Sequence, residues 1–156
     1  MKWEYIELGE ICTFKGGGTP KKNEPTYWVP EIPWASVKDF KTTELNGSKD
    51  MISRLGLKKS ASNLIPAGTV IIPIRMALGK AAINTVDLAI NQDLRALITN
   101  GSIDSRYLLH AYIALAGEIE RHGSGATVKG ITQPKLASIK IPLPYKNGKP
   151  DLDEQK

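Results

Sequence analysis

The stretch Thr69–Gln92, TVIIPIRMALGKAAINTVDLAINQ, decides how this chain folds. Val70, Ile71 and Ile72 are a β-branched run placed directly after the turn signal Pro66-Ala67-Gly68, which predicts a buried strand. Pro73 has no N–H for a ladder, so regular pairing stops or bulges there. Arg75-Met76-Ala77-Leu78-Gly79-Lys80 then predicts a loop carrying two cations. Ala81, Ile83 and Thr85 alternate as a second strand, and Leu88 to Ile90 begins a third. The expected product is a rigid apolar hairpin with a basic tip, Arg75 and Lys80, aimed at something anionic.

Upstream of this hairpin, Leu8 to Cys12 reads as one helical turn. Gly16-Gly17-Gly18-Thr19-Pro20-Lys21-Lys22 reads as a mobile basic loop with unusual backbone angles. It lacks the GxxxxGK[ST] spacing of a phosphate-cradling loop. Tyr27, Trp28 and Ile32–Val37 give an aromatic cluster and a short strand, fit for anchoring the core or for stacking on a base. Gly56 to Ser62 predicts a short helix. Downstream, Arg95 to Ile98 is a strand, and Asn100-Gly101-Ser102 a turn. Asp104 or Ser105 then caps one long helix, Arg106 to Arg121. Leu108, Ala111, Tyr112, Leu115 and Ile119 make its apolar stripe, and Gly123 and Gly125 end it. Thr127 to Ile131 reads as extended. Thr132 caps a brief helix, Gln133 to Ala137, and Ile139 to Leu143 is a last strand stopped by Pro142 and Pro144. Tyr145–Pro150 reads as a linker and Asp151–Lys156 as the start of a helix. The class expected is α/β (α+β): a small curved mixed sheet with one long helix and short helices.

At 156 residues the length suits one domain, and 41% hydrophobic with 24% charged residues is ordinary globular composition. No apolar run approaches the roughly 20 residues that cross a bilayer, and Cys12 alone cannot make an internal disulfide, so a cytoplasmic protein is expected. The net charge of +5 matters less than its distribution. Met51–Val86 has no acid but holds Arg54, Lys58, Lys59, Arg75 and Lys80; Arg121–Pro150 is again free of acids. Segregation of this kind suits a basic face for phosphates, although a mixed solvated surface would read the same way.

No catalytic constellation emerges. His110 and His122 lie twelve apart on one helix without a metal-binding pattern. A GxSxG elbow is absent. Asp151, Glu154 and Lys156 imitate a nuclease pattern, but within one helical turn and not on neighbouring strands. Basic loops without a catalytic set point to a reader and not an enzyme.

Several phrases resemble a known family when taken together. GGGTPKKNEPTYW followed by IPWASVKDF resembles the opening of a target recognition domain from the specificity subunit of type I restriction–modification systems. Gly79-Lys80-Ala81-Ala82-Ile83, Ala89-Ile90-Asn91-Gln92 and Gly125–Ile131 resemble it too, and IKIPLP with Asp153-Glu154-Gln155 resembles its close. The likeness implies a subunit with two such domains separated by long helices that form a coiled coil, each domain reading half of a split DNA site. It implies methyltransferase subunits that carry S-adenosylmethionine and endonuclease subunits that use ATP and Mg, with no cofactor on this chain. Residues 1–144 would be the recognition domain, and 145–156 a linker and the start of a truncated spacer helix, through which two copies could pair.

On this reading the partner is the major groove of double-stranded DNA. Lys15, Lys21, Lys22 and Lys129 would sit on phosphates. Arg75 would read a base edge, backed by Ser36, Lys38, Asn91 and Gln92, with Thr19, Lys80 and Thr127 completing the surface. For Asn91-Gln92 a turn amide serving the backbone is the competing role. Two other functions stay open at this point: the recognition domain of a fused methyltransferase–nuclease, and a protein-interaction module whose basic face meets an acidic protein.

Overall fold

The computed structural model describes residues 2–125 and 130–156. In chain order the strands are β1 (Lys2–Glu7), β2 (Cys12–Lys15), β3 (Ile32–Ala35), β4 (Glu44–Leu45), β5 (Asp50–Ile52), β6 (Leu64–Ile65), β7 (Val70–Pro73), β8 (Ala82–Asn84), β9 (Leu88–Ile90), β10 (Leu94–Thr99), β11 (Lys140–Lys146) and β12 (Lys149–Pro150). The helices are α1 (Leu8–Ile11), α2 (Arg54–Lys58), α3 (Ser105–Ala114), α4 (Ala116–His122), α5 (Gln133–Ala137) and α6 (Leu152–Gln155).

β7 is buried at every position because both of its faces are covered. Val70 and Ile72 pack into a core shared with Leu108, Tyr112 and Ile119 of the helices, while Ile71 faces Leu88 and Ile90 of another sheet. Helices, a five-stranded sheet (β2-β10-β7-β8-β4) and a four-stranded sheet (β5-β3-β9-β6) are therefore stacked in that order. β1, β11 and β12 form a third sheet on the helix side. The mixed α/β class expected from the sequence holds, with its strands divided among three sheets.

The central hairpin forms as expected: Val70 pairs with Ile83 and Ile71 with Ala82. β8 does not alternate, however. Ala81 to Asn84 are all buried, because this strand too is covered on both faces. The third run, Leu88–Ile90, pairs parallel with β3 in the other sheet.

Four expectations need correction. The long helix breaks at Leu115, whose N–H reaches back three residues to the Tyr112 carbonyl (3.0 Å). The hairpin loop meets the helices there, since a Cβ on Gly79 would lie 2.8 Å from that of Ala116. The short helix spans Arg54–Lys58, not Gly56–Ser62, because Ser53 Oγ caps it by accepting from the Gly56 N–H (2.9 Å). β11 runs through both prolines. Their carbonyls turn away from β1 toward the Tyr107 hydroxyl and the Asp151 N–H, so the missing N–H groups face the side away from β1, where β12 pairs only with Tyr145 and Lys146. Finally, Tyr145–Pro150 is no linker: Asn147 (φ 55°) and Gly148 (φ 76°) make the two-residue turn that joins β11 to β12.

α6 is anchored to the domain. Gln155 Oε1 accepts from the Asp104 N–H (2.7 Å), and its Nε2 donates to the Ser102 carbonyl (3.2 Å) at the start of α3.

Candidate nucleic-acid interface

One end of the stacked sheets collects most of the candidates. β3 and β9 are parallel and end together at Ala35 and Ile90. Three residues, Asn91 to Asp93, carry the chain from β9 into β10. β10 is antiparallel to β2 and β7, so Lys15 and the Ile74–Ala81 loop lie at the same end.

An open cleft of about 480 Å³ there is lined by Thr19, Lys22, Ser36, Lys38, Asn91 and Gln92, above Trp28 and Trp34. Six candidates separated by up to 73 positions in sequence thus share one wall. The two indoles pack edge to face, with centroids 5.3 Å apart. Trp34 Nε1 donates to the Gly18 carbonyl and Trp28 Nε1 to the Lys21 carbonyl, each at 3.0 Å. The glycine loop is thereby pinned and not mobile. Gly17 and Gly18 are needed for proximity, not for unusual angles: a Cβ on Gly17 would stand 2.2 Å from the Ile90 carbonyl oxygen, and one on Gly18 2.8 Å from the Ala61 Cβ.

Polar groups in the cleft are held from behind. Asn91 Oδ1 accepts from the Asp93 N–H (3.0 Å), which is the turn-amide role, while its side chain still lines the cleft. Thr19 Oγ1 donates to Gln92 Oε1 (2.5 Å), which leaves the Gln92 amide N–H groups facing out. Asp39 carboxylate oxygens accept from the Ser36 and Lys49 N–H groups, 2.9 Å each, and fix the loop after β3. Lys38 is paired: its ammonium hydrogen-bonds the Asp50 carboxylate, which raises its pKa, so it is not a free cation.

Beside the cleft, Arg75 stands on the hairpin loop with its side chain 56% exposed and Nη1 3.6 Å from Asp93 Oδ1. Gly130 bridges to its backbone, and the Ile131 N–H donates to the Ile74 carbonyl (2.9 Å). Lys15, Lys21 and Lys22 are exposed. Lys80 sits apart from the cleft, against Phe40, Thr43 and Ile113. Thr127 and Lys129 lie outside the described residues.

Sequence reading missed Asp50, Asp93 and Arg95. Arg95 Nη1 donates to the carbonyls of Gln92 (2.9 Å) and Leu94 (2.8 Å), and burial lowers its pKa against the opposing charge of Asp93. A cation at the second position of a strand after Asn-Gln-Asp was the available signal. Among the described residues no group of three or more His, Cys, Asp or Glu could hold a metal, and the Asp151–Lys156 pattern stays on one short helix.

Amides, hydroxyls and cations held rigidly at one end of an α/β scaffold define a binding domain that works by presenting donors and acceptors. The chain belongs to the type I restriction modification DNA specificity domain family, whose model matches residues 1–156. It is 36% identical over 151 residues to the specificity subunit of the Escherichia coli type I restriction enzyme EcoR124I/EcoR124II, covering 92% of this chain and 37% of that protein. It is 25% identical over 147 residues to the MjaIX specificity subunit of Methanocaldococcus jannaschii, covering 91% of this chain and 34% of that one. The HsdS subunit of Thermoanaerobacter tengcongensis shares the fold, with a TM-score of 0.68 at 23% identity over 98% of this chain and 34% of that one. The chain thus spans about a third of the length of these relatives.

Proposed function

We propose that this domain reads one half of a split DNA site in the major groove and so directs methylation and restriction by partner subunits, without chemistry of its own. The observation that carries this reading is the convergence of Thr19, Lys22, Ser36, Asn91 and Gln92 on one cleft, with Lys15, Arg75 and Arg95 at the same end of the sheets. Lys15, Lys21 and Lys22 supply sequence-blind phosphate contacts, and Lys129 adds to them. Base edges meet the Asn91 and Gln92 amides and the Arg75 fork, groups that suit adenine and guanine respectively. Lys38, tied to Asp50, presents a donor beside an acceptor and not a bare charge. Ser36 and Thr127 complete the contact surface, and Lys80, apart from the cleft, would reach only the flanking backbone.

Partners in this reading are double-stranded DNA, methyltransferase subunits and the endonuclease subunit. S-adenosylmethionine, ATP and Mg belong to those subunits, and the assembly works in the cytoplasm. The recognition domain takes in the β11–β12 hairpin as well as residues 1–144. The residues after Pro150, α6 among them, lead into a spacer helix, which would let two copies pair.

The test is selection of bound duplexes from a pool with randomised base pairs, at two salt concentrations. Enrichment of one short block, with affinity falling as salt rises, is expected. Equal retention of all sequences, abolished by heparin, would instead favour a basic protein-interaction module.

A further inference from the structure

Asp93 is out of place at this end of the molecule. Every other candidate there is cationic or neutral apart from Asp50, which lies against Lys38. Asp93 is only 9% exposed, and its Oδ1 is buried without a hydrogen-bond partner among the described residues. A buried carboxylate lacking its bonds is costly, and one near phosphates also repels them. Its backbone is fixed on both sides. The Asp93 N–H donates to Asn91 Oδ1 (3.0 Å), and its carbonyl accepts from the Ile74 N–H (2.8 Å). The link between β9 and β10 is thereby stitched to the hairpin loop that bears Arg75.

Among the described residues the nearest cation to that orphaned oxygen is Arg75, with Nη1 3.6 Å away. Arg75 is more than half exposed while Asp93 is nearly covered, so Nη1 lies near the carboxylate while much of the side chain stays open to solvent. A guanidinium is a planar fork of five N–H donors; occupying one edge leaves another for a pair of acceptors in a set orientation. Arg95, close enough for the Asp93 charge to act on it, is committed by Nη1 to two backbone carbonyls.

We propose that Asp93 is a positioning residue for base selection: its buried carboxylate orients the Arg75 fork toward the base edges, giving up some phosphate affinity for sequence discrimination. This rests on the DNA-reading function proposed above. Without the carboxylate charge, Arg75 is free to swing to a phosphate, where it adds affinity to every sequence and information to none.

The test uses the full chain as wild type, Asp93→Asn, Arg75→Ala and the double variant, each put through selection from randomised duplexes and then titrated with the selected and a scrambled duplex. Arg75→Ala should relax one base position. Asp93→Asn should relax that same position, lowering the ratio of selected to scrambled affinity by about fivefold or more, the scale of one lost bidentate contact. Scrambled binding should hold or tighten, and the double variant should match Arg75→Ala. An unchanged ratio for Asp93→Asn, or an equal loss on both duplexes, overturns the proposal. If Asp93→Asn fails to fold, Asp93→Ser, which removes the charge and takes less space, is judged by the same two outcomes. A wild type that selects no sequence would count against the DNA-reading function itself, a separate result.

Discussion

The indole N–H of Trp34 donates to the Gly18 carbonyl at 3.0 Å, so the loop bearing Thr19, Lys21 and Lys22 hangs from a side chain of β3 that is only 7% exposed. Trp34→Phe keeps most of the ring but leaves that carbonyl unpaired. A loss of about 1–3 kcal/mol in urea unfolding is expected, together with weaker binding to all duplexes. Trp28→Phe, at a half-buried indole bonded to the Lys21 carbonyl, should cost less. The reverse order would show that Trp28 and not Trp34 carries the loop.

Gly17 tests the same seam through its backbone. A Cβ there would meet the carbonyl oxygens of Ile90 (2.2 Å) and Asn91 (2.5 Å), neither of which can yield cheaply. Gly17→Ala should destabilise by about 1–3 kcal/mol and impair DNA binding by displacing Asn91 and Gln92. Gly47→Ala, with nothing within 4 Å of the new methyl, should change stability by no more than about 0.5 kcal/mol. Equal melting midpoints for the two variants would refute the close approach.

The broken helix alters which stripe residue matters. Leu108 is fully buried, whereas Leu115 sits at the break and is partly exposed. Leu108→Ala should cost about 2–5 kcal/mol by burial lost and cavity left, and Leu115→Ala clearly less. Chemical denaturation of the two variants measures the difference, and similar losses would mean that α3 and α4 pack as one continuous helix.

Cys12 is 4% exposed, its Sγ donates to the Leu8 carbonyl (3.2 Å), and burial pushes its pKa up to about 12. The folded-state value lies above the ordinary 9.0, so its contribution is intact below that pH and is lost as pH rises from 9.0 toward 12. Stability of the wild type minus that of Cys12→Ala should therefore fall across this window. A flat difference would show that the thiol ionises as freely folded as unfolded.

Local signals were legible where local chemistry decides. Asp104 caps α3 through the Tyr107 N–H, and α5 runs over Gln133–Ala137 as expected, although the Thr132 side chain makes no cap bond there. The hairpin under Arg75 was legible because β-branched residues followed a turn signal. Pro142 and Pro144 misled because the side on which a strand's N–H groups face depends on its neighbours, which no local window contains. Asn147-Gly148 was a hairpin signal in plain view, masked by the prolines around it. The site was legible as residue types but not as an assembly: nothing local joins Thr19 to Gln92, or tells that Lys38 is neutralised by Asp50 and Arg75 leans on Asp93.

The most direct measurement is an NMR titration of the labelled chain with a selected duplex, following backbone amides at rising DNA concentration. Shifts should concentrate at Lys15–Lys22, Ser36–Lys38, Ile74–Arg75 and Asn91–Arg95. The turns at the opposite end of the sheets, Gly68 and Asp87, should stay still. Shifts centred on those turns, or spread evenly over the surface, would contradict the claim that this end of the sheets reads DNA.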